Sequence, residues 1–282
     1  MTEVAENTGV LDVQKIHLHI EDFGGEGRPI VLIHGWPLSG ASWKLQVPAL
    51  QEAGYRVITY DRRGFGQSDK PKSGYDYDEF TKDLNGLIEN LDVRDITLVG
   101  FSMGGGEVAR YLSKYGESRI HSVVFASSVT PMLLKTPANP EGPLEEASAK
   151  KMTTQLTANP ELFYEGFVKE FFSPNADGNT LVTDEQLQEA LALTKQADPE
   201  AALKSLQAFA ATDFRQDLKT ITVPTLIMHG DDDGIVLLKG SADRTHTAIS
   251  QSKLHIIKGG PHGINVSHVD EFNQALLEFL NE

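Results

Sequence analysis

The chain has no cysteine among its 282 residues. That excludes disulfides, thiolate metal sites and a thiol nucleophile. Nor does any apolar run approach the roughly 20 residues a membrane-spanning helix needs. Basic residues are in the minority: 25 Lys and Arg stand against 40 Asp and Glu, a formal net charge of −15 with His neutral. A surface of that sign repels nucleic acid and anionic membrane, so neither is expected as a partner. The N-terminus, MTEVAENTGVLDVQK, lacks the basic start and apolar stretch of a secretory signal. There is no internal repeat and no low-complexity tract, and a cytoplasmic location is the default expectation.

What the chain does have is a series of short runs rich in Val, Ile and Leu. KIHLHI (15–20) alternates apolar and polar residues, as a strand with one wet face does. PIVLIHG (29–35), YRVITYD (55–61), DITLVGF (95–101), SVVFAS (122–127), PTLIMHG (224–230) and KLHIIKG (253–259) are mostly continuous. Strands buried on both faces read that way, which predicts a parallel sheet between layers of helices. Helical patterns fall between the runs at 78–91, 103–115, 240–250 and 268–281. The last carries Val269, Phe272, Leu276, Leu277 and Leu280 at helical spacing. The fold class is therefore α/β, with a mostly parallel central sheet flanked by helices.

Residues 130–220 break the alternation. They hold helical patterns interrupted by seven prolines, from Pro131 to Pro199, and no convincing strand. This segment reads as a helical cap inserted into a core formed by 1–129 and 221–282. Ligands of open α/β sheets bind at the carboxyl ends of the strands, so a cap there would wall the site. Phe163, Phe167 and Phe171 form a stripe on one helix face, read as packing within the cap itself.

The stretch VGFSMGGG (99–106) sets one serine among glycines, between a strand and a helical pattern containing Val108, Leu112 and Tyr115. Gly100-Phe101-Ser102-Met103-Gly104 fits G-x-S-x-G, the sharp strand-to-helix turn that exposes a nucleophilic serine. Side chains at the two glycine positions would collide with the neighbouring strand or helix. The helix start also directs N–H groups and its positive dipole end at whatever anion forms beside Ser102.

A serine hydroxyl needs a base. Of nine histidines, His262 stands apart in GGPHG (259–263), a stiff loop after the last strand run. An acid must then fix the imidazole tautomer. MHGDDDGIV offers Asp231, Asp232 and Asp233, of which two should turn to solvent or to backbone donors because adjacent carboxylates repel. The other customary position, after SVVFAS, holds only Ser127 and Ser128. For the oxyanion, one donor is the Met103 N–H. The other is the Trp36 N–H in His34-Gly35-Trp36-Pro37, where Pro37 restricts Trp36 to extended backbone. His34 reads as a ring bracing this loop without touching substrate. No His pair has metal-ligand spacing on a helix, so no metal or organic cofactor is implied.

Together these residues resemble the α/β-hydrolase fold, and more closely the cofactor-free (non-haem) haloperoxidase and aryl esterase family. HGWPLSGASW (34–43), YRVITYDRRGFGQSDKP (55–71), GYDYDEFTKDL (74–84), LVGFSMGGGEVARYL (98–112) and PHG (261–263) carry the resemblance. It implies Asp233 as the acid, at the second aspartate of the family's H-G-D-x-D-x-I-V pattern. It also implies hydrolysis of small carboxylic esters through an acyl-enzyme. Hydrogen peroxide would intercept that intermediate in a side reaction, giving a peracid that oxidises halide. Lactones, lactams and carbon–carbon bond substrates use the same triad, and a ligand receptor with vestigial turnover is the non-enzymatic alternative. Phe101, Trp36 and Ile235 are expected to line an apolar acyl pocket, with Arg62 and Arg63 as loop scaffolding. The family often forms trimers or larger rings, so the resemblance admits a homo-oligomer while the residues leave the oligomeric state open. Leu237 departs from a customary proline, and Ile264-Asn265 from Phe-Ala.

Overall fold

The computed structural model describes residues 7–13 and 16–282. Lys15, and most of the N-terminal stretch read for a signal, lie outside the described residues. The apolar runs become one eight-stranded sheet in the order β1-β2-β4-β3-β5-β6-β7-β8. Its strands are β1 (Asn7–Val13), β2 (Ile16–Asp22), β3 (Pro29–Ile33), β4 (Arg56–Tyr60), β5 (Ile96–Phe101), β6 (Ile120–Ala126), β7 (Thr225–Gly230) and β8 (Lys253–Ile257). From β4 through β8 the pairing is parallel, while β1 on β2 and β2 on β4 are antiparallel. Every residue of β5 and β7 is buried, which is why those runs show no alternation. In β2, Leu18 and Ile20 point inward between wetter neighbours. The edge strand β1, paired to β2 as an antiparallel hairpin, is not foreseen from sequence, because Gly9 and Asp12 dilute its apolar residues.

Helices cover both faces. α1 (Val47–Glu52), α2 (Tyr77–Asn90) and α3 (Met103–Tyr115) precede β6. α2 starts where the Asp76 carboxylate accepts the N–H groups of Asp78 and Glu79, both at 3.0 Å. In α3, Val108 and Leu112 are buried as expected, but Tyr115 emerges to stack on Tyr111 at the helix end.

Between β6 and β7 lie α4 (Glu146–Ala158), α5 (Pro160–Phe171), α6 (Asp184–Thr194) and α7 (Pro199–Ala211), with no strand among the described residues there. Two of the prolines start helices rather than break them. Pro160 and Pro199 occupy the first turn, where a missing N–H costs nothing, behind the capping side chains of Asn159 and Asp198. After β7 come α8 (Ala242–Ala248), α9 (Ile264–Ser267) and α10 (Val269–Leu280). The helix expected over 240–250 is thus shorter, preceded by a 3-10 turn at Leu238–Gly240. No helix among the described residues is long and apolar enough to cross a membrane.

The α4–α7 segment is tied to the sheet through its loops. The Asp198 N–H donates to Gly64 O (2.8 Å) and the Trp36 indole N–H to Ala202 O (2.9 Å). The aromatic stripe faces inward, not into its own helices. Phe167 lies 5.2 Å from Trp36, and Phe171 lies 5.8 Å from Phe101. The reading of a stripe packed within the cap is corrected accordingly: its rings are the apolar face by which α5 is held to the core.

Two buried ion pairs brace the loops beyond β4. Arg62 Nε donates to Glu107 of α3 at 2.8 Å, with both side chains fully buried, and Tyr60 donates its hydroxyl to the same carboxylate. Arg63 forks onto Asp83 of α2 through two bonds of 2.5 and 2.6 Å. The substitution Glu107→Leu would strand the Arg62 charge without a partner. A loss of about 3–5 kcal/mol is expected, read from urea unfolding; a loss below about 1 kcal/mol would show that the pair does not brace the fold.

Candidate active site

Ser102 sits at the junction of β5 and α3 with φ 53° and ψ −116°. A non-glycine residue rarely holds this backbone, and it persists only where its surroundings over-determine it. Here the neighbours are two glycines. A Cβ on Gly100 would lie 2.5 Å from the Gly104 carbonyl oxygen, and one on Gly104 would lie 2.5 Å from that of Ile33 in β3. With hydrogen in both places, α3 can start hard against the sheet and turn the Ser102 side chain away from it.

The candidate base comes from the loop between β8 and α9. His262 Nε2 lies 2.9 Å from Ser102 Oγ, and its Nδ1 lies 2.7 Å from Asp233 Oδ2. Phe171 stands edge-on to the imidazole at 4.8 Å and Phe101 flanks it at 5.4 Å, so the ring has little room to turn. Its backbone is held too. Ser127, at φ 44°, donates its hydroxyl to the His262 carbonyl at 2.9 Å, and the Gly263 N–H donates to Phe171 O at 2.8 Å.

The candidate acid lies in the loop after β7. Asp233 Oδ1 accepts the N–H groups of Ile235 (2.9 Å) and Val236 (2.8 Å). Its Oδ2 faces His262 and also His229 Nε2, at 3.2 Å. Burial alone would push this carboxyl up; His262 first, then His229, outweigh burial and hold it well below the usual carboxylate range. Of the other two aspartates, Asp231 is exposed and accepts the Gly259 N–H at 2.6 Å, while Asp232 is half-buried. Their roles divide as carboxylate repulsion requires. Asn175, beyond α5, donates its N–H to Asp232 O at 2.5 Å, so the end of α5 is clasped between the acid loop and the base loop.

Among the described residues, neither the Trp36 nor the Met103 backbone N–H donates to a protein acceptor. The Trp36 indole is only 2% exposed, enclosed by Phe163, Tyr164, Phe167 and Phe209. Its ring is taken up by packing. Phe101 is likewise buried, behind His262. Ile235 is half-buried and borders a cavity of about 620 Å³ between α4, α5 and the acid loop, together with Met152, Phe163, Phe167 and Leu237. Asn265 points away from this cavity, its amide donating to Ser42 O at 3.3 Å.

Two neighbours of the site were not legible as such. His229 reads as the end of an apolar strand, and its place four residues before Asp233 was the available signal. Ser127 carries no carboxylate, so its sequence position gives it no part in the site. Among the described residues no group of three or more His, Asp and Glu is gathered as for a metal ion.

Comparison with known proteins places this geometry among relatives. The family profile of the alpha/beta hydrolase fold matches residues 28–269. The chain is 41% identical to the non-heme chloroperoxidase CPO-A1 of Kitasatospora aureofaciens, over 92% of this chain and 94% of that one. It is 32% identical to the bifunctional esterase/perhydrolase DCH of Acinetobacter calcoaceticus, over 94% of this chain and 96% of the other. The crystal structure of a bromoperoxidase from Bacillus anthracis superposes with a TM-score of 0.95 at 48% identity, covering 98% of this chain and 100% of that one.

The substitution Asp233→Asn is expected to lower kcat for a model ester by about 10⁴. It also removes a carboxyl whose folded-state pKa is depressed. The stability difference from wild type is therefore complete above pH about 4, the unfolded carboxyl value, and shrinks as pH falls further. Urea unfolding at pH 7 and pH 3 checks this; a difference that grows toward pH 3 would contradict it.

Proposed function

The chain belongs to the α/β-hydrolase fold family and, within it, to the non-heme haloperoxidases, and on that premise we propose that it is a carboxylic ester hydrolase whose acyl group is carried on Ser102. The observation that bears most weight is the unbroken line of bonds from Ser102 Oγ through His262 to Asp233, 2.9 and 2.7 Å long.

In this reading Ser102 Oγ attacks the ester carbonyl as its proton passes to His262 Nε2. Nδ1–H of His262 donates to Asp233, whose ionised carboxylate stabilises the imidazolium without taking its proton. The carbonyl oxygen becomes an oxyanion within reach of the Met103 and Trp36 N–H groups. The imidazolium returns its proton to the leaving alcohol, and the acyl-enzyme remains. Water, deprotonated by His262, then releases the acid. Hydrogen peroxide can take the place of water, releasing a peracid that oxidises halide to hypohalous acid and is itself reduced to the carboxylic acid.

Residues 130–220, which carry helices α4–α7, act as a cap in this scheme. Their aromatic stripe excludes water from the imidazole, which strengthens the electrostatics of the site.

A panel of p-nitrophenyl esters of increasing acyl length, with lactones, run with and without peroxide, tests the proposal. Wild type should hydrolyse short acyl esters and, with peroxide and bromide, halogenate a dimedone. Ser102→Ala should lose both activities together, by at least about 10⁴. Halogenation surviving in this variant would separate the two chemistries and overturn the shared acyl-enzyme.

A further inference from the structure

The oxyanion donor at Trp36 belongs to a peptide that could in principle face either way. The Gly35–Trp36 unit is planar and trans, so its C=O and N–H point in opposite directions. It also lies against the nucleophile: a Cβ on Gly35 would come 3.2 Å from Ser102 Cβ and 2.8 Å from the Phe101 ring. Turned over, this peptide would present a carbonyl oxygen to the forming oxyanion. What holds the carbonyl on the far side is a pair of donors, His34 Nδ1 at 2.8 Å and Leu38 N–H at 3.0 Å.

The His34 ring has no freedom to do otherwise. Its Nε2 accepts the Arg62 N–H at 3.0 Å, so the proton must sit on Nδ1, where it meets Gly35 O. The ring is fully buried and edge-on to Phe65 at 5.8 Å. Arg62 also donates from its guanidinium to the His34 carbonyl at 3.0 Å and is itself held by Glu107. Burial first, and then the Arg62 charge, keep the imidazole neutral.

We propose that His34 is a positioning residue for the oxyanion hole: by holding the Gly35 carbonyl, its Nδ1–H fixes the peptide that aims the Trp36 N–H at the substrate oxygen. The inference rests on the acyl-enzyme reading and assigns His34 a task within it. It makes the ring more than a brace, because only one of its two nitrogens bears on the rate. The other bears on stability.

The two nitrogens can be separated. The Asn side chain can place an N–H where Nδ1 stands, and Gln can place an oxygen near Nε2. His34→Asn should keep kcat within about threefold of wild type while losing stability, since the Arg62 N–H is left without its acceptor. His34→Gln should keep that acceptor and lose about 10²–10³ in kcat, the size of one oxyanion donor, with KM within about threefold. Its affinity for an alkyl boronic acid, which forms a tetrahedral adduct on the serine, should fall in parallel with kcat.

Equal losses in both variants, tracking their melting temperatures, would reduce His34 to a structural part. Unchanged rates in both would remove it from the hole. Should neither variant fold, ¹⁵N-histidine NMR of the wild type decides: a neutral Nδ1–H tautomer for His34 from pH 5 to 9 is required, and the Nε2–H tautomer overturns the proposal. A wild type without ester turnover in the same assays would instead bring down the underlying reading, and this inference with it.

Discussion

Everything at the site depends on one backbone conformation, the positive φ of Ser102 at the step from β5 to α3. Such a residue costs on the order of 1–3 kcal/mol. The cost is offset by what lies on either side, a strand with every residue buried and a helix seated against the sheet through Gly100 and Gly104. Because the turn is forced, Ser102 Oγ, the Met103 N–H and the first turn of α3 arrive at one place together. A looser turn would deliver the hydroxyl without the amide.

The electrostatics run against the molecule as a whole. A net charge of −15 opposes the formation of another negative charge, and Asp233 is buried and ionised close to Ser102. Local donors must supply what the global field does not, and their orientation matters more than their number. The same economy appears around the acid. Two main-chain N–H groups satisfy one carboxylate oxygen, while two histidines face the other. Helix α5 completes the arrangement, since Phe171 touches the imidazole with its ring and the loop of His262 with its carbonyl.

Five of the strand runs, β3 to β7, were legible because burial on both faces leaves Val, Ile and Leu nearly uninterrupted; KIHLHI shows instead the alternation of one wet face, and β8 at the sheet edge buries only Ile257. β1 was hidden, since its identity lies in pairing with β2 rather than in its own residues. The serine turn and the histidine loop could be read from glycine and proline spacing. Asp233 could not be separated from its two neighbours by charge alone; the resemblance chose it, and burial distinguishes it in the fold. The inward face of α5 was misjudged because helical spacing shows that a stripe is buried without showing against what. His229 and Ser127 act through contacts between residues far apart or between strand ends, and short-range pattern does not contain such contacts.

The acyl-enzyme on Ser102 is the claim from which the mechanism, the peroxide reaction and the role of His34 all descend. Its most direct measurement is peptide mass spectrometry on enzyme quenched in acid during turnover of p-nitrophenyl acetate. The account predicts an acetyl group on Ser102 that appears within the first turnover and disappears once substrate is exhausted. Turnover with Ser102 unmodified throughout, or with the acetyl group on another residue at the same rate, would contradict it.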